Sequence, residues 1–246
     1  MTTLKVMTTK TQTLRPTAGA RTAGDRYYPT YGNGGYLVAS YDIRVAYDPR
    51  TAVLTGTTMI VATATQDLSE FSLDFALDVT EVRVDDRVAS SARDGLKLVV
   101  TPAAPVASGA EFVVTVDYSG QPGTLELGGR VPFITTPTGA ITIGMPEVSA
   151  SWFPANDHPG NKATYRISIT VPDGLTAISN GVLASTSSAR GYTTWNWFEP
   201  HPMATYLALF AVGDYDVERG VTPRACRTRS RSPVAPTRST PRPAPT

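Results

Sequence analysis

The chain has 246 residues, 41% of them hydrophobic and 17% charged, which is enough length and apolar content for a sizeable buried core. Its single cysteine, Cys226, excludes an internal disulfide and a cysteine-rich metal site. There is no run of about 18 apolar residues, and residues 1–23 lack the apolar core of a signal peptide. The sequence as written therefore predicts a cytoplasmic protein with no membrane partner; secretion would require a start site upstream.

The two ends differ in composition from the middle. Residues 1–24 are polar and rich in threonine, and they are predicted to be a disordered leader. The net charge of +1 conceals an uneven distribution, because six arginines, six prolines and no acidic residue lie in residues 222–246. Residues 220–246 are therefore predicted to be a disordered tail. One domain over residues 25–219 remains.

Between the ends, alternation of apolar and polar residues predicts a succession of strands. Glycines at 32, 34 and 35 indicate a turn, after which Leu37, Ala39, Tyr41, Ile43, Val45 and Tyr47 alternate with residues of the other face. No stretch shows a convincing helical period. The predicted strands are 37–47, 53–65, 71–77, 82–84, 96–100, 112–118, 140–143, 163–171, 176–179, 192–198 and 203–212. Strands at this spacing predict an all-β fold, an antiparallel β-sandwich or saddle.

A proline-bracketed loop precedes the strand at 163–171. Trp152 and Phe153 are large apolar side chains that require burial. Pro154 and Pro159 restrict the backbone on either side of Asn156 and Asp157, which are residue types that hydrogen-bond within turns. The pattern predicts a rigid loop that closes over the sandwich.

The run W-F-P-A-N-D-H-P-G-N-K-A-T-Y, residues 152–165, resembles the end of the N-terminal domain of zinc aminopeptidases of the aminopeptidase N family. The pattern of that family reads roughly F-P-C-x-D-x-P-x-x-K-A-T-(F/Y). Two further motifs fit: G-N-G-G-Y at 32–36, followed by Tyr41-Asp42, and P-M-A-T-Y-L-A at 202–208. The resemblance covers about residues 25–219 and implies the β architecture of the family's N-terminal domain.

The resemblance also implies a chemistry that this sequence does not carry by itself. Enzymes of the family release the N-terminal residue of a peptide, using zinc held by H-E-x-x-H and a further glutamate, with a G-x-M-E-N loop at the substrate amine. Neither motif occurs here, so no catalytic residue and no metal ligand is assigned. The chain is expected to be inactive alone, to bind no cofactor and to meet a peptide substrate only together with a zinc-binding catalytic domain.

One functional residue of the family is expected in this domain. A glutamine or glutamate nine residues before the proline of F-P binds the free α-amine of the substrate. The corresponding position is Met145, whose sulfur is a weak acceptor without charge. Glu147 would share the face of Met145 on a strand and is the candidate to replace it. Both are predicted substrate-binding residues.

Other polar and aromatic features have simpler interpretations. His158 and His201 are the only histidines, and their proline-rich surroundings favour turn residues over zinc ligands. Trp195 and Trp197 are spaced for a packed face of one strand, although a ligand platform uses the same spacing. The pair Asp85-Asp86 next to Arg87 favours a solvated turn.

Three function classes remain open. The first is the N-terminal domain of a zinc aminopeptidase, from a gene whose reading is truncated or frameshifted after residue 219; translation of the neighbouring frames tests this. The second is a free-standing β-sandwich that binds peptides. The third is a polyanion-binding protein that acts through its arginine-rich tail, but the tail has no aromatic residue to stack on bases, so no specific nucleic-acid partner is expected.

Overall fold

The computed structural model describes residues 15–143, 148–221 and 227–233, and these residues form an almost pure β structure. Its helices are three single turns of 3-10 helix, at Pro122–Thr124, Ser149–Ser151 and Thr205–Leu207. None of the helices in these ranges is long and apolar enough to cross a membrane. The strands are β1 (Thr17–Ala18), β2 (Tyr36–Asp48), β3 (Val53–Ala64), β4 (Leu68–Asp74), β5 (Asp78–Val84), β6 (Arg87–Val88), β7 (Ser90–Asp94), β8 (Lys97–Thr101), β9 (Glu111–Gly120), β10 (Phe133–Thr136), β11 (Gly139–Thr142), β12 (Ala163–Pro172), β13 (Thr176–Ile178), β14 (Val182–Ala189), β15 (Tyr192–Met203), β16 (Ala211–Gly213), β17 (Tyr215–Val221) and β18 (Arg227–Pro233).

One large sheet of eight strands spans the domain in the order β14-β15-β12-β2-β3-β9-β5-β6. Two four-stranded sheets, β1-β4-β8-β7 and β10-β11-β16-β13, supply the strands packed against it. The core lies between the sheets because each long strand presents alternate apolar residues to one side. In β12 these are Ala163, Tyr165, Ile167, Ile169 and Val171, all at most 1% exposed. The predicted all-β sandwich is confirmed.

The large sheet is mixed and not purely antiparallel. β2 and β12 run parallel, with Tyr41 opposite Tyr165 and Ile43 opposite Ile167, whereas β12 and β15 are antiparallel. Alternation along a strand carries no information on its direction, so the sequence pattern did not distinguish the two arrangements. A parallel neighbour requires a crossover connection, and here the intervening strands supply it.

A bulge changes which residues of β2 face the core. The predicted alternation placed Leu37 and Ala39 on the same face as Tyr41, but the pairing of β2 with β3 shifts between Val38 and Ser40. The shift exchanges the two faces. Val38 is therefore buried, and Leu37 is 56% exposed. The prediction that Leu37 and Ala39 face the core is wrong.

Two short strands lie inside the predicted leader and the predicted tail. The strand β1 lies inside the predicted leader and pairs in parallel with β4, and Gly19 N donates to the carbonyl of Glu70 at 2.8 Å. β18 lies inside the predicted tail and pairs with β17. In both cases the pairing rests on backbone hydrogen bonds, which apolar periodicity does not report. The remainder of the predicted leader and tail falls outside the described residues. The segment 203–212, predicted as one strand, is divided into the end of β15, a 3-10 turn and the start of β16.

Candidate functional site

Trp152 and Phe153 lie in the centre of the core, where the loop closes over the sandwich. Both side chains are 0% exposed, and their rings meet edge to face with centroids 4.6 Å apart. The ring of Trp152 also lies 5.7 Å from that of Phe210, and Phe153 lies 5.6 Å from Tyr41. The predicted burial of this aromatic pair is confirmed, and it fixes the start of the loop.

The loop that follows the aromatic pair contacts a network of buried polar side chains. The ammonium of Lys97 donates to Asp74 Oδ1 at 2.5 Å and to the carbonyl of Gly32 at 2.8 Å. The other oxygen of Asp74 accepts from Asn33 Nδ2 at 2.9 Å and from the backbone N–H of Asp157 at 3.0 Å. Asp74 is 2% exposed and Lys97 8%. A buried charge is tolerated only when paired and hydrogen-bonded, and Asp74 meets both conditions.

Asn156 joins this network to the glycine-rich turn. Its side-chain oxygen accepts from the N–H of Asn33 at 2.7 Å, and its amide donates to Asn161 Oδ1 at 3.2 Å. Asn161 in turn bonds both backbone groups of Val38, at 2.9 and 2.8 Å. The hydroxyl of Tyr41 accepts from the N–H of Asn156 at 3.0 Å. The loop is thus hydrogen-bonded to β2 at Val38 and Tyr41.

The carboxyl group of Asp157 is buried with only part of its hydrogen-bonding capacity satisfied. Its Oδ1 accepts from the hydroxyl of Thr205 at 2.5 Å and from that of Ser149 at 3.2 Å. Its Oδ2 is buried and has no hydrogen-bond partner among the described residues. Burial raises the pKa of Asp157 to about 7, because the two hydroxyl bonds offset only part of the desolvation and nearby Asp74 adds to the rise. This carboxyl therefore holds a proton over much of the range below neutrality.

The three sequence motifs of the resemblance meet at this network. Asn33 comes from G-N-G-G-Y, Asn156 and Asp157 from the proline-bracketed loop, and Thr205 from P-M-A-T-Y-L-A. Gly32 is required where it stands: its φ is +69°, and a Cβ there would lie 2.7 Å from the Cβ of His158. The motifs are distant in sequence and form one buried cluster, which we call the loop network: Asn33, Asp74, Lys97, Asn156, Asp157, Asn161 and Thr205.

The predicted amine-binding residues, Met145 and Glu147, fall outside the described residues. The chain on both sides of them is well fixed. Thr142, at the end of β11, donates its N–H to the carbonyl of Phe210 at 2.8 Å. Val148 and the 3-10 turn Ser149–Ser151 are buried, and Ser149 reaches Asp157. The segment 144–147 therefore joins two anchored elements, one of which contacts the loop network directly.

The remaining candidates occupy structural positions. His158 is in a turn, where Nδ1 accepts from the N–H of Gly160 at 3.1 Å and Nε2 lies 3.4 Å from Asp25 Oδ2. His201 contacts Glu199 on the surface. Asp85 and Asp86 have φ of 50° and 60°, the left-handed values of a tight turn, as predicted.

The two strand tryptophans pack on the core side, as predicted. Trp197 is 4% exposed and donates Nε1 to the carbonyl of Ala177 at 3.2 Å, and Trp195 packs partly buried against the same core. The described residues contain no group of three or more histidine, cysteine or acidic side chains placed to hold a metal ion. This part of the chain does not fit the zinc of the family, and no chemical step is assigned to zinc here.

Sequence reasoning missed Asp74 and Lys97. They lie within the predicted strands 71–77 and 96–100, where the alternation assigns no role to either side chain. Both are buried because the end of β4 is covered on both sides, by the loop and by β8. The nearest available signal was a charged residue between the apolar residues Leu73 and Phe75, which indicates a solvated position as often as a buried pair.

Comparisons with known proteins agree with this architecture. The chain is 46% identical to human glutamyl aminopeptidase over 65 residues, which are 26% of this chain and 7% of that protein. It is 34% identical to mouse aminopeptidase B over 87 residues, which are 35% of this chain and 12% of that protein. It is 32% identical to rat aminopeptidase N over 80 residues, which are 31% of this chain and 8% of that protein. The chain thus matches about a tenth of the length of these relatives.

Solved structures extend the likeness to the whole domain. The crystal structure of an M1 zinc metallopeptidase from Deinococcus radiodurans superimposes with a TM-score of 0.77 at 22% identity. The match covers 89% of this chain and 53% of that one, so the present chain spans about half of the solved protein. At this identity the likeness shows the fold. The model of the peptidase M1 N-terminal domain matches residues 38–207, more than half of the chain, and the protein belongs to this family.

Proposed function

We propose that this chain acts as the non-catalytic N-terminal domain of a zinc metalloaminopeptidase and forms the side of the active-site cleft that receives the N-terminus of a peptide. The observation that carries the proposal is the convergence of the three family motifs on the loop network, next to the anchored flanks of residues 144–147. In this role the zinc would polarise the scissile carbonyl from a separate catalytic domain.

The residues of this chain would act on the substrate's α-ammonium group. A positioned carboxylate or amide oxygen accepts a hydrogen bond from that cation, and a charge-assisted bond of this kind contributes about 1.5–3 kcal/mol. The loop network would serve by restricting the segment that carries the acceptor, because a buried, hydrogen-bonded anchor leaves that segment few alternative positions. Met145 lacks such an acceptor, so we expect weak capture of the amine unless Glu147 supplies it.

A chimeric enzyme tests this role. Residues 25–219, which include Asn33 and the glycine-rich turn, would replace the matching segment of a solved M1 relative, and kcat/KM would be measured on an aminoacyl-nitroanilide. Met145→Glu should raise kcat/KM by about 10- to 150-fold, since each 1.4 kcal/mol is about tenfold. Arg87→Gln, on the exposed edge strand β6, is the control and should change nothing.

Variants at positions 145 and 147 show which of the two residues binds the substrate amine. If Met145→Glu has no effect and Glu147→Gln abolishes most of the activity, the acceptor is Glu147 and position 145 is not the anchor. If neither variant changes kcat/KM while the chimera is active, the proposed contact with the substrate amine is contradicted.

A further inference from the structure

The face of the eight-stranded sheet that points away from the core carries aligned rows of polar side chains. One row crosses seven strands by direct pairing and consists of Ser185, Asn196, Ser168, Arg44, Thr57, Asp117 and Glu81. A second row beside it contains Thr194, Thr170, Ala46 and Thr55. Paired residues on neighbouring strands lie about 4.8 Å apart, so each row is a nearly continuous line of hydroxyl, amide and charged groups.

The residues of the two rows, apart from Glu81, line an open groove of about 850 Å³, which we call the outer groove. This volume is within the range of small-molecule sites in proteins. Hydrogen bonds connect the polar side chains of its floor. Ser168 donates to Asn196 Oδ1 at 2.7 Å, and Asn196 donates to the hydroxyl of Ser185 at 3.1 Å. Thr57 donates to Asp117 Oδ1 at 2.5 Å. The polar side chains therefore have fixed orientations before any ligand arrives.

Arg166 is the unneutralised charge of the outer groove. Within the described residues no carboxylate lies within ion-pair distance of it, although Asp42 is its paired neighbour on β2. Asp42 instead binds Arg44 through two bonds of 3.0 Å, from Nε and Nη2. The guanidinium of Arg166 lies 5.0 Å from the ring centroid of Phe198, and this cation–π contact holds it over the strand β15.

The other charges near the outer groove are held in ion pairs. Asp117 accepts from Arg83 at 2.8 Å and the same guanidinium contacts Glu81, so two carboxylates share one arginine at the acidic end of the row. Arg44 is paired with Asp42 but keeps its Nη1 group free of any described bond. Arg166 and Arg44 are diagonal neighbours on adjacent strands, since Arg166 pairs with Asp42 and Ser168 pairs with Arg44. One free guanidinium and one spare amino group thus flank a line of hydroxyl and amide groups.

We propose that the outer groove binds a saccharide that carries a carboxylate. The planar fork of Arg166 matches a carboxylate with two parallel hydrogen bonds. The second amide hydrogen of Asn196 supplies a donor, and the hydroxyl oxygens of Ser168 and Thr57, whose hydrogens already bond Asn196 and Asp117, supply acceptors to the hydroxyl groups of a sugar ring. Because hydrogen bonds already hold these side chains in place, less conformational entropy is lost when a ligand binds.

The test is a titration of the full 246-residue chain, isotope-labelled, with glucuronic acid, glucose and acetate in parallel, followed by NMR of backbone amides and arginine Nε–H groups. Glucuronic acid should shift the signals of Arg166 and Asn196 and bind at least about tenfold more tightly than glucose or acetate, a difference of about 1.4 kcal/mol. Glucose lacks the charge and acetate lacks the ring, so each control removes one half of the proposed recognition.

Variants localise the effect. Arg166→Gln should weaken glucuronic acid binding by about tenfold or more, and Arg166→Lys should give an intermediate affinity because it keeps the charge and loses the fork. Arg87→Gln, on the exposed strand β6, should leave binding unchanged. Equal binding of acetate, unchanged binding to the Arg166→Gln variant, or no localised shifts with glucuronic acid would each overturn the proposal. The measurement is made on this chain alone, so it is independent of the role proposed in peptide hydrolysis.

Discussion

Thr205 donates its hydroxyl to Asp157 Oδ1 at 2.5 Å, deep in the core between residues that are 48 positions apart in the chain. Both side chains are buried, Thr205 at 0% and Asp157 at 4% exposure. The bond joins the proline-bracketed loop to the 3-10 turn that follows β15. A hydrogen bond to a buried acid has no water to replace it, so its removal affects the loop and the turn together.

The protonation of Asp157 should make stability depend on pH. Its folded pKa of about 7 lies above the ordinary 3.8, so folding takes up a proton between these values. The stabilisation of the folded state by this proton is complete below pH 3.8 and is lost as the pH rises through about 7. Burial raises the pKa of Asp74 too, in spite of Lys97, and acts in the same direction.

The variant Asp157→Asn should remove most of this dependence, because an amide keeps the acceptor oxygen for Thr205 without a titratable proton. We expect its free energy of unfolding, relative to the unmodified chain, to rise between about pH 4 and pH 7 in urea titrations and to level off above pH 7. Val182→Ala, at an exposed position without a titratable group, is the control and should leave the slope unchanged. A parallel pH profile for Asp157→Asn and the unmodified chain would show that this carboxyl does not titrate in the window.

The ion pair between Lys97 and Asp74 gives a second prediction. Lys97→Met leaves the carboxylate of Asp74 buried without its cation, which should cost about 3–5 kcal/mol in urea unfolding. The double variant Lys97→Met with Asp74→Asn should recover a large part of the loss, because no uncompensated charge remains. If the two single changes add without any recovery, the pair is not coupled in the folded protein.

Truncation of Trp152 should be strongly destabilising. Trp152→Ala removes a fully buried ring that packs on Phe153 and Phe210, and we expect a loss of about 3–5 kcal/mol in urea unfolding. Trp152→Phe should cost clearly less, because Nε1 of Trp152 has no hydrogen-bond partner among the described residues. Val182→Ala, at an exposed position on the edge strand β14, is the matched control. A loss under about 1 kcal/mol for Trp152→Ala would contradict the central position of this ring.

We expect the chain by itself to have no aminopeptidase activity. Its sequence has only two histidines and no H-E-x-x-H, so we expect no release of amino acid from aminoacyl-nitroanilides and no stoichiometric zinc after dialysis and metal analysis. An active intact M1 enzyme assayed under the same conditions is the positive control. Turnover by the purified chain that disappears with a chelator would contradict the prediction.

Strand positions were largely predictable from the sequence, because a half-buried strand must alternate apolar and polar residues. The alternation at Phe112, Val114, Val116 and Tyr118 corresponds to β9, and all four are buried. Two properties were not predictable in this way. The bulge at Val38–Ser40 comes from backbone pairing with β3, and the parallel arrangement of β2 and β12 comes from chain topology.

The site was predictable in its parts but not as a network. Trp152, Phe153, Asn156 and Asp157 carried clear local signals, as aromatic anchors and turn residues. Asp74 and Lys97 did not, because their burial depends on which segments cover β4 in three dimensions. The assignment of Met145 and Glu147 to substrate binding rests on the resemblance and stays a prediction.

The parallel pairing of β2 with β12 has a consequence for the time course of folding. More than a hundred residues lie between Asp48, the end of β2, and Ala163, the start of β12. During synthesis on the ribosome, one edge of β2 stays unpaired until residue 172 has emerged, while β3 can already pair with the other edge and β9 with β3. A contact this distant raises the contact order and slows the search for the native pairing. Newly made chains would therefore pass through a stage with a long hydrogen-bonding edge open, the state in which binding by a chaperone competes most directly with aggregation.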